Sequence, residues 1–205
     1  LRWLIGGGAA LGLTGYTYLA ARLFPIPLGI ALAWGWVRQP PARRPRMSRR
    51  LAVALAAALV AFAPLGIFFL KHPETFTTRI DQVAAPTWAA AWQGIRRCVM
   101  ALGLPGQGDP YVRFNQPGLP VMDGLSVILS GIGGWALLRR REHPPLRRAA
   151  VLLVLVSTLV MLLPSALATA EITPRNLRMV GLFPLIAVLP AVGLVFIGHG
   201  VRRLF

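Results

Sequence analysis

The sequence predicts an all-α fold: a polytopic transmembrane helical bundle of about six spans, with a further amphipathic helix on its outer side. Three observations point there. Of 205 residues, 56% are hydrophobic and only 14% charged, and mean hydropathy is +0.62; a water-soluble domain of this length carries nearer a quarter charged residues. Apolar runs recur at lengths near the roughly 17–25 residues that a helix needs to cross the hydrocarbon core. The basic residues sit in short clusters between those runs.

The spans follow in order. "WLIGGGAALGLTGYTYLA" (3–20) is the first, and "FPIPLGIALAWGWV" (24–37) is a short second that could equally be re-entrant. The cleanest is 51–70, followed by 121–138, 149–168 and 179–198. Gly8 and Gly12 have the small-xxx-small spacing that lets helix backbones approach. Pro64, Pro164, Pro184 and Pro190 lie within spans and are expected to kink them.

Charge supports crossing by the short segment. With six crossings, one side holds Arg2, the loop "RQPPARRPRMSRR", the loop "RRREHPPLRR", Arg202 and Arg203, giving 14 basic residues against one acid, Glu142. The other side holds eight basic residues and five of the six acids. Basic loops mark the cytoplasmic face, so the acid-bearing side is expected outside. A net charge of +16 in such clusters argues against a nucleic-acid surface. A single cysteine, Cys98, excludes an intramolecular disulfide and a cysteine metal site; it reads as a small apolar filler.

The external loop, 71–120, is far longer than ordinary connections of about 4–6 residues. Within it, Trp88, Trp92, Ile95, Val99 and Leu102 recur at helical spacing, with Gln93, Arg96 and Arg97 elsewhere. That pattern predicts an amphipathic helix lying in the headgroup layer, packed on the protein's own outer face, or both. Three external stretches carry the candidate chemistry: "KHPETFTTRIDQV" (71–83), "GDPYVRFNQPGLPVMD" (108–123) and "EITPRNLRMVG" (171–181), with the turn around Arg22 as a fourth. Each sets arginine at a helix mouth, where its planar fork suits a phosphate; snorkelling to lipid headgroups is the plainer use.

Four stretches in sequence, "GLTGYTYLAARLFP", "PLGIFFLKHPETFTTRIDQV", "GDPYVRFNQPGLPVMD" and "EITPRNLRMVGLFPLIAVLPAVGL", resemble prokaryotic membrane glycosyltransferases of the GT-C type. The nearest branch comprises relatives of dolichyl-phosphate-mannose protein mannosyltransferase and of the lipid A aminoarabinose transferase. The resemblance covers nearly the whole chain, through order and spacing rather than one diagnostic motif. It implies inverting transfer of a hexosyl or pentosyl group from a polyprenyl-phosphate carrier. The acceptor would be a protein, lipid or glycan at the extracytoplasmic face of the cell membrane, and the function would be protein glycosylation or cell-envelope modification. It also implies a catalytic aspartate in a first external loop that this chain does not carry. The chain opens at Leu1 with no signal-peptide pattern, and "YLAARLFP" has no carboxylate; it is read as the C-terminal part of a membrane domain whose base lies upstream.

In such a transfer, cations stabilise charge growing on the departing phosphate. Arg22 and Arg178, nearest the span ends, are the first candidates, followed by Arg79, Arg113 and Arg175. Glu74, Asp109 and Glu171 could orient these cations or hold sugar hydroxyls, Asn115 is presented by the proline-rich loop, and Tyr16 and Tyr18 could stack on a sugar or prenyl unit. No cofactor follows from the sequence. A divalent metal stays open without a recognisable ligand spacing, and His72, His143 and His199 have no metal partner in sequence. The rival class is a non-enzyme: a lipid-linked glycan flippase, a transporter or a structural membrane subunit. The span interiors lack ionisable residues and show no internal repeat, which argues against a proton-coupled transporter.

Overall fold

The computed structural model describes residues 1–17, 19–75, 84–113, 115–139, 145–169 and 173–201. Every regular element among them is helical. In order these are α1 (Arg2–Leu13), 3-10 turns at Thr14–Tyr16 and Leu19–Leu23, α2 (Pro25–Val37), a 3-10 turn at Pro41–Arg43, and α3 (Arg44–Lys71). Then come α4 (Trp88–Ala101), α5 (Gly124–Arg139), α6 (Pro145–Val160), α7 (Leu163–Ala166), a 3-10 helix at Asn176–Leu182, and α8 (Phe183–Val201).

Four helical stretches are long and apolar enough to cross a membrane: Ala20–Val37, Pro41–Lys71, Arg147–Ala166 and Asn176–Gly200. The second expected span is among them because the Leu19–Leu23 turn leads straight into α2. Two of the six expected spans come out shorter. α1 has 12 residues rather than the 18 of 3–20, a rise of about 18 Å. It stops where hydroxyls compete for backbone acceptors: Thr14 Oγ1 donates to the Leu11 carbonyl (2.6 Å) and Thr17 Oγ1 to that of Thr14 (2.7 Å). α5 has 16 residues, beginning at Gly124 rather than 121, behind Asp123, whose side chain accepts the Ser126 N–H (2.9 Å) as a cap, while the Val121 and Met122 N–H groups tie the approach to the Ala101 and Leu102 carbonyls.

The other boundaries move for equally local reasons. α3 starts seven residues before the expected 51, with Pro45 in its first turn and arginine and methionine, both good helix formers, behind it. The span expected at 149–168 breaks at Met161–Leu162, ahead of Pro164, whose ring and missing N–H do not continue a helix. Pro64 and Pro190 lie inside α3 and α8.

Helices pair by small residues rather than by chain order. α1 lies on α3, α5 on α8, α2 on α6, and α4 on α7. A methyl at Gly8 would collide with the Ala54 carbonyl, and one at Gly12 with that of Ala58. Gly133 and Gly193 meet the Leu189 and Leu129 carbonyls in the same way. Such contacts suit lipid surroundings, where close packing replaces the hydrophobic drive.

A single apolar cluster ties one end of the bundle together. Cys98, Met161, Leu162, Ala166, Met179 and Leu182 form it, with Phe24, Val121, Val160 and Leu185 packed against it. The starts of α2 and α8, the approach to α5 and the end of α6 therefore share this end. Arg38, Arg139 and Arg147 belong to the far ends of the same helices.

The predicted amphipathic segment is α4, capped by Thr87, whose side chain accepts from the Ala90 N–H (3.1 Å). It packs on the protein through Ala91, Gly94, Cys98 and Ala101, a face of small residues. A methyl at Gly94 would meet the Ala166 carbonyl. Trp88 and Trp92 stay outside, 92% and 67% exposed.

Candidate functional site

The loop 103–123 is shaped by its glycines and one asparagine. Gly106 and Gly118 have φ of 80° and 78°, a left-handed conformation that side chains resist. The Gly106 N–H donates to the Gly118 carbonyl at 2.7 Å. Asn115 Nδ2 donates to the carbonyls of Leu119 (2.7 Å) and Asp109 (3.3 Å). At this residue the loop fastens to itself.

Asp109, at the loop's base, is 0% exposed. Its Oδ1 accepts the Tyr111 N–H (2.9 Å) and its Oδ2 the Asn176 N–H (2.7 Å), at the start of the 3-10 helix 176–182. One carboxylate thus clamps two distant stretches, and a buried charge needs such partners. Beside it, the Arg175 guanidinium lies 4.8 Å from the Tyr111 ring centroid, and the Arg175 backbone N–H donates to Ser165 Oγ (2.9 Å).

Arg178 is 6% exposed and donates to the Ala168 carbonyl (3.4 Å), which also accepts from Thr173 Oγ1 (3.2 Å). Arg22 is half-buried; its Nε donates to the Gly15 carbonyl (3.2 Å), and its guanidinium lies 4.9 Å from the Phe69 ring centroid. The Leu19–Leu23 turn packs directly against the 176–182 helix. The structure therefore brings the segments of Arg22, Arg175, Arg178 and Asp109 together at the cluster end of the bundle.

Other sequence-predicted residues stand apart or play other parts. Arg113 is on the exposed side of the loop. Glu74 is exposed, 3.4 Å from His72 Nδ1. The Tyr16 hydroxyl donates to the Ala61 carbonyl (3.1 Å) and accepts from the Leu65 N–H (3.2 Å). It bridges a turn of α3 beside Pro64, where the helix lacks one of its own N–H groups. Tyr18, Arg79 and Glu171 lie outside the described residues.

Among the described residues, no three His, Cys, Asp or Glu side chains gather to hold a metal ion. Burial pushes the Cys98 thiol up from its ordinary value, against the pull of a hydrogen bond with Ser165. Ser165, Thr173 and Tyr111 were not singled out in the sequence. Their partners are backbone atoms, a thiol or a guanidinium that the fold brings to them, so residue type alone gave no signal.

Two surface grooves lie toward the opposite end. One, of about 370 Å³, runs along Leu137, Val192, Val195 and Phe196 to Arg147. The other, of about 500 Å³, is lined by Ala42, Pro45, Arg46, Arg49 and Arg50. No family model, curated protein or solved structure matches the chain.

Proposed function

We propose that the chain is part of an integral-membrane glycosyltransferase that moves a sugar from a polyprenyl-phosphate carrier to an acceptor on the extracytoplasmic face. The observation that carries this reading is the convergence of the Arg22 turn with the Arg175–Arg178 segment, at the end away from the arginine-rich loops. The charge asymmetry of the loops supports an extracytoplasmic position for that end. In this topology α1 and α5, although short, complete six crossings by local thinning of the bilayer. The exposed tryptophans of α4 rest in the outer headgroup layer.

The chemistry asks for cations where the lipid phosphate departs. Of the three converging arginines, Arg22 and Arg175, half-buried, are the two that a ligand can reach. Arg178, enclosed and bonded to the Ala168 carbonyl, acts as a positioning residue. No carboxylate of the described residues is assigned the base; Asp109 already accepts two backbone N–H groups. The burial of Arg178 also favours a second reading, a non-enzymatic membrane subunit in which these arginines only hold backbone.

Transfer from a polyprenyl-phosphate sugar by the intact protein tests the proposal. Arg22→Ala and Arg175→Ala are each expected to lower kcat about 10²-fold, the usual cost of losing one donor to developing charge. Membrane insertion should be unaffected. Wild-type kinetics in both variants would leave the second reading standing.

A further inference from the structure

Arg46, Arg49 and Arg50 stand at i, i+3 and i+4 in the first turns of α3, a spacing that puts their side chains on one face. All three are exposed, and they supply three of the five residues lining the 500 Å³ groove. Their neighbours are differently engaged. Arg44 donates to the Val37 (2.9 Å) and Gln39 (3.1 Å) carbonyls, and its guanidinium lies 5.3 Å from the Trp36 ring centroid. Arg38 sits 5.5 Å from the Trp34 ring and Arg139 4.8 Å from that of Trp135.

Among the described residues no carboxylate pairs with Arg46, Arg49 or Arg50. Like charges at these spacings repel, and the positive end of a helix disfavours them further. An anion in the groove reverses both effects, and the guanidinium fork fits phosphate oxygens two at a time. The depth is also defined. Trp34, Trp36 and Trp135 mark this end of the bundle, and tryptophan gathers at the headgroup level of a bilayer.

We propose that the Arg46–Arg49–Arg50 groove binds the phosphate of an acidic phospholipid headgroup in the leaflet at the arginine-rich end. The site is separate from the Arg22–Arg178 region and stands whether or not the chain serves glycosyl transfer. Each arginine near an anionic surface contributes about 1 kcal/mol, roughly a fivefold effect on lipid affinity.

The test uses the full chain in nanodiscs of phosphatidylcholine with a minor share of phosphatidylglycerol. Native mass spectrometry then counts the phosphatidylglycerol retained after release into detergent. The triple variant Arg46→Gln/Arg49→Gln/Arg50→Gln is expected to lose retention at least tenfold. A charge-matched triple at the opposite end, Lys71→Gln/Arg96→Gln/Arg97→Gln, should stay within twofold of wild type. Should the first triple fail to fold, Arg49→Gln alone is expected to show the roughly fivefold loss. Equal losses in the two triples would reduce the effect to net charge and overturn the site. Displacement of the lipid by millimolar inorganic phosphate, with phosphate alone bound as tightly, would overturn the lipid assignment.

Discussion

The two ends of the bundle use arginine differently. At the arginine-rich end the guanidinium groups stay in the open, as at Arg46, Arg49 and Arg50, or lie across tryptophan, as at Arg38, Arg44 and Arg139. At the cluster end Arg96, Arg97 and Arg113 are exposed too, but three others are drawn in: Arg178 is almost enclosed, Arg22 and Arg175 are half-buried, and each of the three has a stated protein contact. Many exposed cations report where a membrane surface lies. A few enclosed ones report where the fold has committed a charge to a fixed place, because desolvating an ion costs far more than leaving it wet. Burial, not abundance, singles out the candidate site.

The largest effect expected from this contrast is at Asp109. Asp109→Ala strands the Tyr111 and Asn176 N–H groups and is expected to destabilise the protein by about 3 kcal/mol. Unfolding in detergent, followed by circular dichroism, measures it; a midpoint equal to wild type would remove the clamp from the account.

A second, smaller effect is expected at the mouth of α5. Asp123 Oδ1 accepts the Ser126 N–H (2.9 Å) and Oδ2 the Ser126 hydroxyl (2.7 Å), bonds that hold its carboxyl below the ordinary carboxylate value. A depressed folded-state pKa gives stability that is complete above the unfolded value, about 3.9, and is lost as pH falls through the folded one. Titrating the unfolding midpoint from pH 6 to pH 3 should therefore show a decline that Asp123→Asn lacks. Parallel curves for the two proteins would contradict the capping role. The smallest change belongs to the open cations. Arg46→Gln should alter stability in phosphatidylcholine alone by no more than about 0.5 kcal/mol, and a loss comparable to that at Asp109 would erase the distinction between the ends.

Helices were legible in the sequence because apolar length speaks for itself, as in 51–70, which lies wholly inside α3. Their ends were less so. α1 yields at Thr14 to side-chain hydroxyls, and α5 waits until Gly124, behind the Asp123 cap, after an approach tied to the end of α4, a fact that needs the neighbour in place. For α4 the wide apolar stripe drew attention to its tryptophans, whereas the packed face is the inconspicuous Ala91, Gly94, Cys98 and Ala101. The neighbourhood of Arg22 and Arg178 was anticipated from their places at helix mouths. That Asp109 would be buried against residue 176, 67 positions away, was not, since nothing local to the loop encodes that distant partner. Asn115, read as a presented side chain, is committed to the loop's own carbonyls.

The Tyr16 hydroxyl between the Ala61 carbonyl and the Leu65 N–H links the assembly of two helices. A proline three-quarters of the way along the longest described helix leaves a gap in its ladder, and the splint for the adjoining turn arrives from another part of the chain. The third helix is thus finished by the turn that follows the first, and a segment holding only 44–71 would lack that brace.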